Sequence, residues 1–130
     1  MVYIAWSHEF ETGIPGIDYD HRRLVDLLNS IASMVHRAAD SSEIVAALKG
    51  FHTMAEAHFE FEEEAMVAVE SGKKAEHEEI HDRLLDEIRR IVTGYQDGSM
   101  PLSALPETLR VWMMDVLTID AELFKTMRRV

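Results

Sequence analysis

The sequence predicts an all-α chain folded as an up-down-up-down antiparallel four-helix bundle with an N-terminal arm. Apolar residues recur at helical spacing in long segments, breaks containing glycine, proline or serine separate those segments, and strand-type alternation is absent. With 130 residues, the chain suits one domain spanning 1–130, long enough to bury a core. A hydrophobic content of 47% argues against disorder.

Gly13, Pro15 and Gly16 mark the arm as non-helical. The first helix is expected from Tyr19 to His36, where Leu24, Leu27, Leu28, Ile31 and Val35 share a face. Asp40 reads as the N-cap of a second helix and Glu43 as its capping-box partner. That helix should run from about 41 to 69, ended by Ser71 and Gly72. The third is expected from Lys74 to Tyr95, carrying Ile80, Leu84, Leu85, Ile88 and Ile91 on one side. After the loop QDGSMP, Pro106 fits the first turn of a fourth helix ending near Met127. Short connections between amphipathic helices make the antiparallel bundle the natural solution.

Twenty-four acidic residues against 13 basic ones give a formal charge of -11, which argues against nucleic acid or an anionic membrane as partner. The absence of cysteine removes disulfides, thiolate zinc sites, iron–sulfur clusters and cysteine nucleophiles. No serine lies in a GxSxG-type motif, so nucleophilic hydrolysis is set aside. The opening MVYIAWSHEFETG has no signal-peptide pattern, and no apolar run reaches the roughly 18 residues a membrane helix needs. A soluble, cytoplasmic protein is the expectation.

The stretch HFEFEEEAM, residues 58–66, crowds four glutamates beside a histidine. Such crowding is either a solvated face or the neighbourhood of a cation. His77 and His81 stand four apart, which at about 100° per residue puts both imidazoles on one face of a helix. His58 and Glu62 repeat that spacing one helix earlier; His21 lies early in the first helix and Asp120 on the fourth. A single pair of this kind is usually a surface contact. Two pairs on consecutive helices, each continuing the apolar face, are different, because unpaired polar groups there would be costly to bury. Every helix thus offers nitrogen or oxygen ligands to the bundle interior, a donor set suited to iron, zinc or manganese.

These residues resemble the hemerythrin family, specifically its single-domain bacteriohemerythrins, over nearly the whole chain. The arm WSHEFETGI followed by IDYDH to His21 is similar to the family's N-terminal segment, residues 58–66 to its HFxxEExxM signature, and HEEIH, residues 77–81, to its HxxxH. The resemblance implies a non-haem diiron centre that binds O2 or related small ligands. His21 and His58 would bind one iron, His77 and His81 the other, with Glu62 and Asp120 bridging. An oxo or hydroxo bridge would complete the core, and O2 would enter at an open position on one iron. Glu60, Glu63 and Glu64 are then read as the solvated side of the helix. Phe59 and Trp112 would keep the O2 pocket apolar, although either serves equally well as ordinary core.

The fourth helix departs from the family's WLxxHIxxxD pattern, reading WMMDVLTID from Trp112 to Asp120 with no histidine. Anchoring on Asp120 puts Asp115 at the histidine position. Anchoring on Trp112 puts Val116 there and Ala121 at the bridge. The first is preferred because it keeps a carboxylate bridge and offers Asp115 as an oxygen ligand. An anionic oxygen at that iron would favour the ferric state and speed autoxidation, easing oxidase- or peroxidase-like chemistry. His8, His36 and His52 are read as structural or surface residues, with His8 the candidate to replace the missing ligand. Tyr19 and Asp20 are read as helix-capping. Three functions follow as expectations: O2 storage, delivery, transport or sensing; a diiron oxidase or peroxidase; and a helical module with a degenerate site.

Overall fold

The computed structural model describes residues 4–68 and 74–127 of the chain. A single 3-10 turn at His8–Phe10 precedes helix α1 (Pro15–His36); α2 (Ser41–Ala68), α3 (Lys74–Asp97), a second 3-10 turn (Leu102–Ala104) and α4 (Leu105–Met127) follow. No strand occurs among the described residues. α1 packs against α2 and α4, α2 against α3, and α3 meets α4 to close the four-helix bundle. The predicted break at Ser71 and Gly72 lies outside the described residues.

One boundary moves. Pro15 and Gly16, expected in a non-helical arm, open α1, with proline at the first helical position where its missing N–H costs nothing. The N-cap, Ile14, has no side chain able to cap. Asp18 takes over instead, its carboxylate accepting from Thr12 N (2.8 Å), Thr12 Oγ1 (2.9 Å) and Gly13 N (3.2 Å). This clamp closes over Gly13, whose φ of 86° suits glycine. Further out, the arm is fixed by two bonds between the Ile4 backbone and the Asn29 side chain, at 3.1 and 3.0 Å.

At the α1–α2 connection, Glu43 directs its carboxylate to Arg37 (2.6 Å), so the acid expected in a capping box closes an ion pair across the turn. The backbone N–H groups of Glu43 and Ile44 both reach the Asp40 carbonyl. Ala38 sits in the left-handed region at φ 54°, while Ala39 N–H bonds back to the Met34 carbonyl (2.9 Å), a helix stop that glycine normally occupies.

The main core runs along the bundle axis, with Leu24, Leu28, Ile31, Phe51, Leu84, Ile88 and Leu117 among its buried members. A smaller cluster of Ile17, Met66 and Phe124 is separate from it. These three residues lie one helical turn beyond His21, Glu62 and Asp120 on α1, α2 and α4. A layer of buried polar side chains is therefore sandwiched between two apolar layers. No helix among the described residues is long and apolar enough to cross a membrane.

Two positions run against local backbone preference. Ala38 carries the left-handed penalty of an L-residue, and Gly50 lies exposed inside α2 with open space where a Cβ would stand. Ala38→Gly and Gly50→Ala should each raise stability by about 0.5–1 kcal/mol, measured as a higher urea midpoint with an unchanged slope.

Candidate metal centre

Among the described residues seven buried ones are polar or charged, and six of them meet at one place: His21, His58, Glu62, His77, His81 and Asp120. Each is at most 3% exposed. Helix spacing explains the convergence. His58 and Glu62, like His77 and His81, are one turn apart on faces that otherwise carry core residues, while His21 and Asp120 enter from α1 and α4. All four imidazoles present Nε2 to the two carboxylates.

The carboxylate oxygens divide between the imidazoles. His21 Nε2 lies 2.8 Å from Asp120 Oδ2, and His58 Nε2 lies 2.8 Å from Glu62 Oε2 and 3.6 Å from Asp120 Oδ2. The opposite oxygens face the other pair. His77 Nε2 is 3.3 Å from both Glu62 Oε1 and Asp120 Oδ1, and His81 Nε2 is 3.2 Å from Glu62 Oε1. Two overlapping tetrads result, His21–His58–Glu62–Asp120 and Glu62–His77–His81–Asp120, each with its donor atoms within 4.8 Å of one another.

The donors fit a cation better than they fit each other. His58 Nε2 and Glu62 Oε2 are buried and close, yet they are not aligned for a hydrogen bond and neither has another partner. A metal ion between them satisfies both lone pairs, and imidazole with carboxylate and no thiolate suits iron, manganese or zinc. Beyond the donors, His58 Nδ1 is 3.2 Å from Asp20 Oδ2 on α1, the contact that fixes a ligating ring in orientation and tautomer. Glu63 Oε1 stands 3.5 Å from His81 Nδ1. Asp20 is thus turned to the site rather than to its own helix end, and Glu63 is only half-way out of it. Neither role was legible from spacing, because each side chain reaches a residue on another helix. Glu60 and Glu64 are exposed, as expected.

Phe59 stacks on the His81 ring, centroids 4.1 Å apart and 12° from parallel. Trp112 packs beside Phe59 at 6.3 Å and donates its indole N–H to the Leu84 carbonyl (2.9 Å). Phe59 touches a candidate ligand directly; Trp112 stands behind it.

Asp115 is not brought to the cluster. It is exposed on α4, beside a surface hollow that it shares with Glu87, Glu107 and Val111. Asp115 belongs to neither tetrad, although it stands at the same five-residue interval from Asp120 as the histidine of the family pattern. Asp120 reaches the cluster as the first alignment required, whereas the buried position one turn before it belongs to Val116. Ala121 is buried but carries no donor. His8 does not replace the missing ligand: its side chain is 98% exposed and pairs with Glu11 at 3.2 Å. His36 is exposed at the end of α1, and His52 lies outside both tetrads.

Burial alone would lower the pKa of His58, but the closely placed negative charges of Asp120 and Glu62 outweigh it and raise the value to about 10. The same balance raises His77 to about 9. Asp120 is held well below the usual carboxylate range; burial opposes this, and Glu62 and the three histidines His21, His58 and His77 overcome it.

A bundle of four antiparallel helices converging imidazoles and carboxylates in its interior is the architecture of a helical-bundle metalloprotein. The chain belongs to the hemerythrin family: the family model described as "Hemerythrin HHE cation binding domain" matches residues 12–126. Membership implies non-haem iron binding. Among relatives, the chain is 25% identical over 126 residues to a bacteriohemerythrin from Stenotrophomonas maltophilia, covering 95% of this chain and 80% of that one. It is 24% identical over 123 residues to a bacteriohemerythrin from Pseudomonas paraeruginosa, covering 92% and 78%.

Two measurements check this geometry. Asp20→Ala should weaken iron binding about 10- to 100-fold in competition with a chelator, while Asp115→Asn leaves it unchanged. In the iron-free protein, His58 and His77 bind protons more tightly folded than unfolded. Their stabilisation is fully present below pH 6.5 and lost as pH rises through 9 to 10. The melting temperature of the iron-free protein should therefore fall between neutral pH and pH 10, and iron loading should flatten that fall.

Proposed function

We propose that the cluster holds two iron ions and that the protein binds dioxygen there, for storage, delivery or sensing. The observation that carries this reading is the sharing of both carboxylates. Glu62 and Asp120 each turn one oxygen to the His21–His58 pair and the other to the His77–His81 pair, the disposition of two bridging carboxylates. Family membership and the two bacteriohemerythrin relatives support iron as the metal and O2 as the ligand.

Iron bound there supplies the redox chemistry toward O2. The chain supplies the rest. His21, His58, His77 and His81 would provide nitrogen donors, and the two carboxylates balance charge. Asp20 holds the His58 ring, and Phe59 braces the His81 ring. Together with the Ile17–Met66–Phe124 cluster they keep the donors out of water, which limits proton leakage to a bound ligand. The case for an oxidase or peroxidase rested on the altered fourth helix; with Asp115 exposed, the anionic ligand that would have favoured it is absent from the cluster. The formal charge of -11 further supports a small ligand over nucleic acid.

Loading the protein anaerobically with ferrous iron, counting iron per chain and following the visible spectrum tests the reading. Two irons per chain and a charge-transfer band that appears with O2 and fades on its removal are expected. One iron or none would defeat the proposal, and irreversible conversion to the diferric state would turn it toward redox catalysis.

A further inference from the structure

Seven arginines lie among the described residues. Arg22, Arg37, Arg83, Arg90 and Arg110 each pair with a carboxylate, and Arg23 lies over the Tyr19 ring. Arg89 does neither, in a chain with nearly twice as many acidic as basic residues. Across from it on α2, the Lys49 ammonium likewise has no ion pair among the described residues. The two cations flank one hollow between α2 and α3, of about 400 Å³, lined by Lys49, His52, Thr53, Arg89, Val92 and Thr93. His52 lines it as well, with its Nε2 turned away from solvent.

We propose that this hollow is a binding site for a phosphate group. Arg89 offers a planar fork of donors matched to two phosphate oxygens, and Lys49 adds a second positive charge. His52 forms part of the hollow's wall and leaves the contact with the phosphate to the two cations. Thr93 adds a hydroxyl, whereas Thr53 commits its own to the Lys49 carbonyl at 3.1 Å. Spacing makes the site: positions 49, 52 and 53 share one face of α2, and 89, 92 and 93 share the opposing face of α3. Val92 gives the hollow an apolar wall, and its volume leaves room for a small organic group attached to the phosphate. The hollow shares no residue with either metal tetrad, so the proposal stands independently of the oxygen reading.

Calorimetric titration of the iron-loaded protein with inorganic phosphate and with glycerol phosphate, at fixed ionic strength, tests it. Saturable binding at one site per chain is expected. Arg89→Gln should weaken it about tenfold or more. Arg83→Gln, which removes the same charge elsewhere on α3, should leave it unchanged, and both exposed substitutions should keep the melting temperature of the free protein. Tighter binding of the ester identifies a small organic phosphate as the ligand class; equal binding identifies free phosphate. No saturable heat with either compound, or equal loss in both variants, overturns the proposal.

Discussion

The structure depends on keeping two carboxylates dry. Glu62 and Asp120 are buried at 0% and 2% exposure, and isolated charges there would be far too costly to hold. Positive charge must come with them. Without metal it comes as protons, which is why His58 and His77 hold theirs well past neutral pH. With metal, cations replace those protons. Metal uptake is then an exchange of one positive charge for another, and it has to release protons.

That constraint reaches into the fold because no segment can satisfy it alone. The donors come from α1, α2, α3 and α4; the α2 carboxylate faces imidazoles of α1 and α3, and the α4 carboxylate faces imidazoles of all three other helices. Correct assembly of all four helices is required before the charges balance. The apolar layers on either side make the site dry, and the drier it is, the stronger each remaining electrostatic interaction becomes. The Asp18 clamp on Thr12 and Gly13 belongs to the same logic. It fixes the start of α1 only one turn from His21, so the first imidazole is set in place by the arm as well as by the core.

The bundle and the six converging donors were legible because both follow helical periodicity. His58 with Glu62 and His77 with His81 announce a shared face by counting alone. What escaped counting were interactions between helices. Asp20 is the neighbour of His21 in sequence but the partner of His58 in space, and nothing in a one-dimensional pattern says which helix lies across from it. The start of α1 was misplaced because Pro15 and Gly16 punctuate loops more often than they open helices, and the cap that rescues them comes from within the helix. Asp115 failed for a different reason. Its chemistry suited an empty ligand position and its spacing from Asp120 matched the family pattern, but on this α4 the side chain is exposed and outside both tetrads.

The fourth helix therefore contributes one donor where family resemblance led us to expect two. Trp112, Val116 and Asp120 form its inward stripe, each one turn from the next. Val116 offers neither lone pair nor proton, so the two tetrads are alike in donor type: two imidazoles and a share of two carboxylates on either side. An anionic ligand at the second position would have favoured the higher oxidation state of any metal held there; valine exerts no such bias. On the diiron reading, the two metal positions then differ in what surrounds them more than in what binds them. His58 is oriented by a hydrogen bond to the Asp20 carboxylate, whereas His81 lies against the face of Phe59 and its Nδ1 makes no hydrogen bond to Glu63, 3.5 Å away. A carboxylate raises the basicity of the ring it holds and an aromatic face does not. On that reading the His21–His58 side is the more strongly donating of the two.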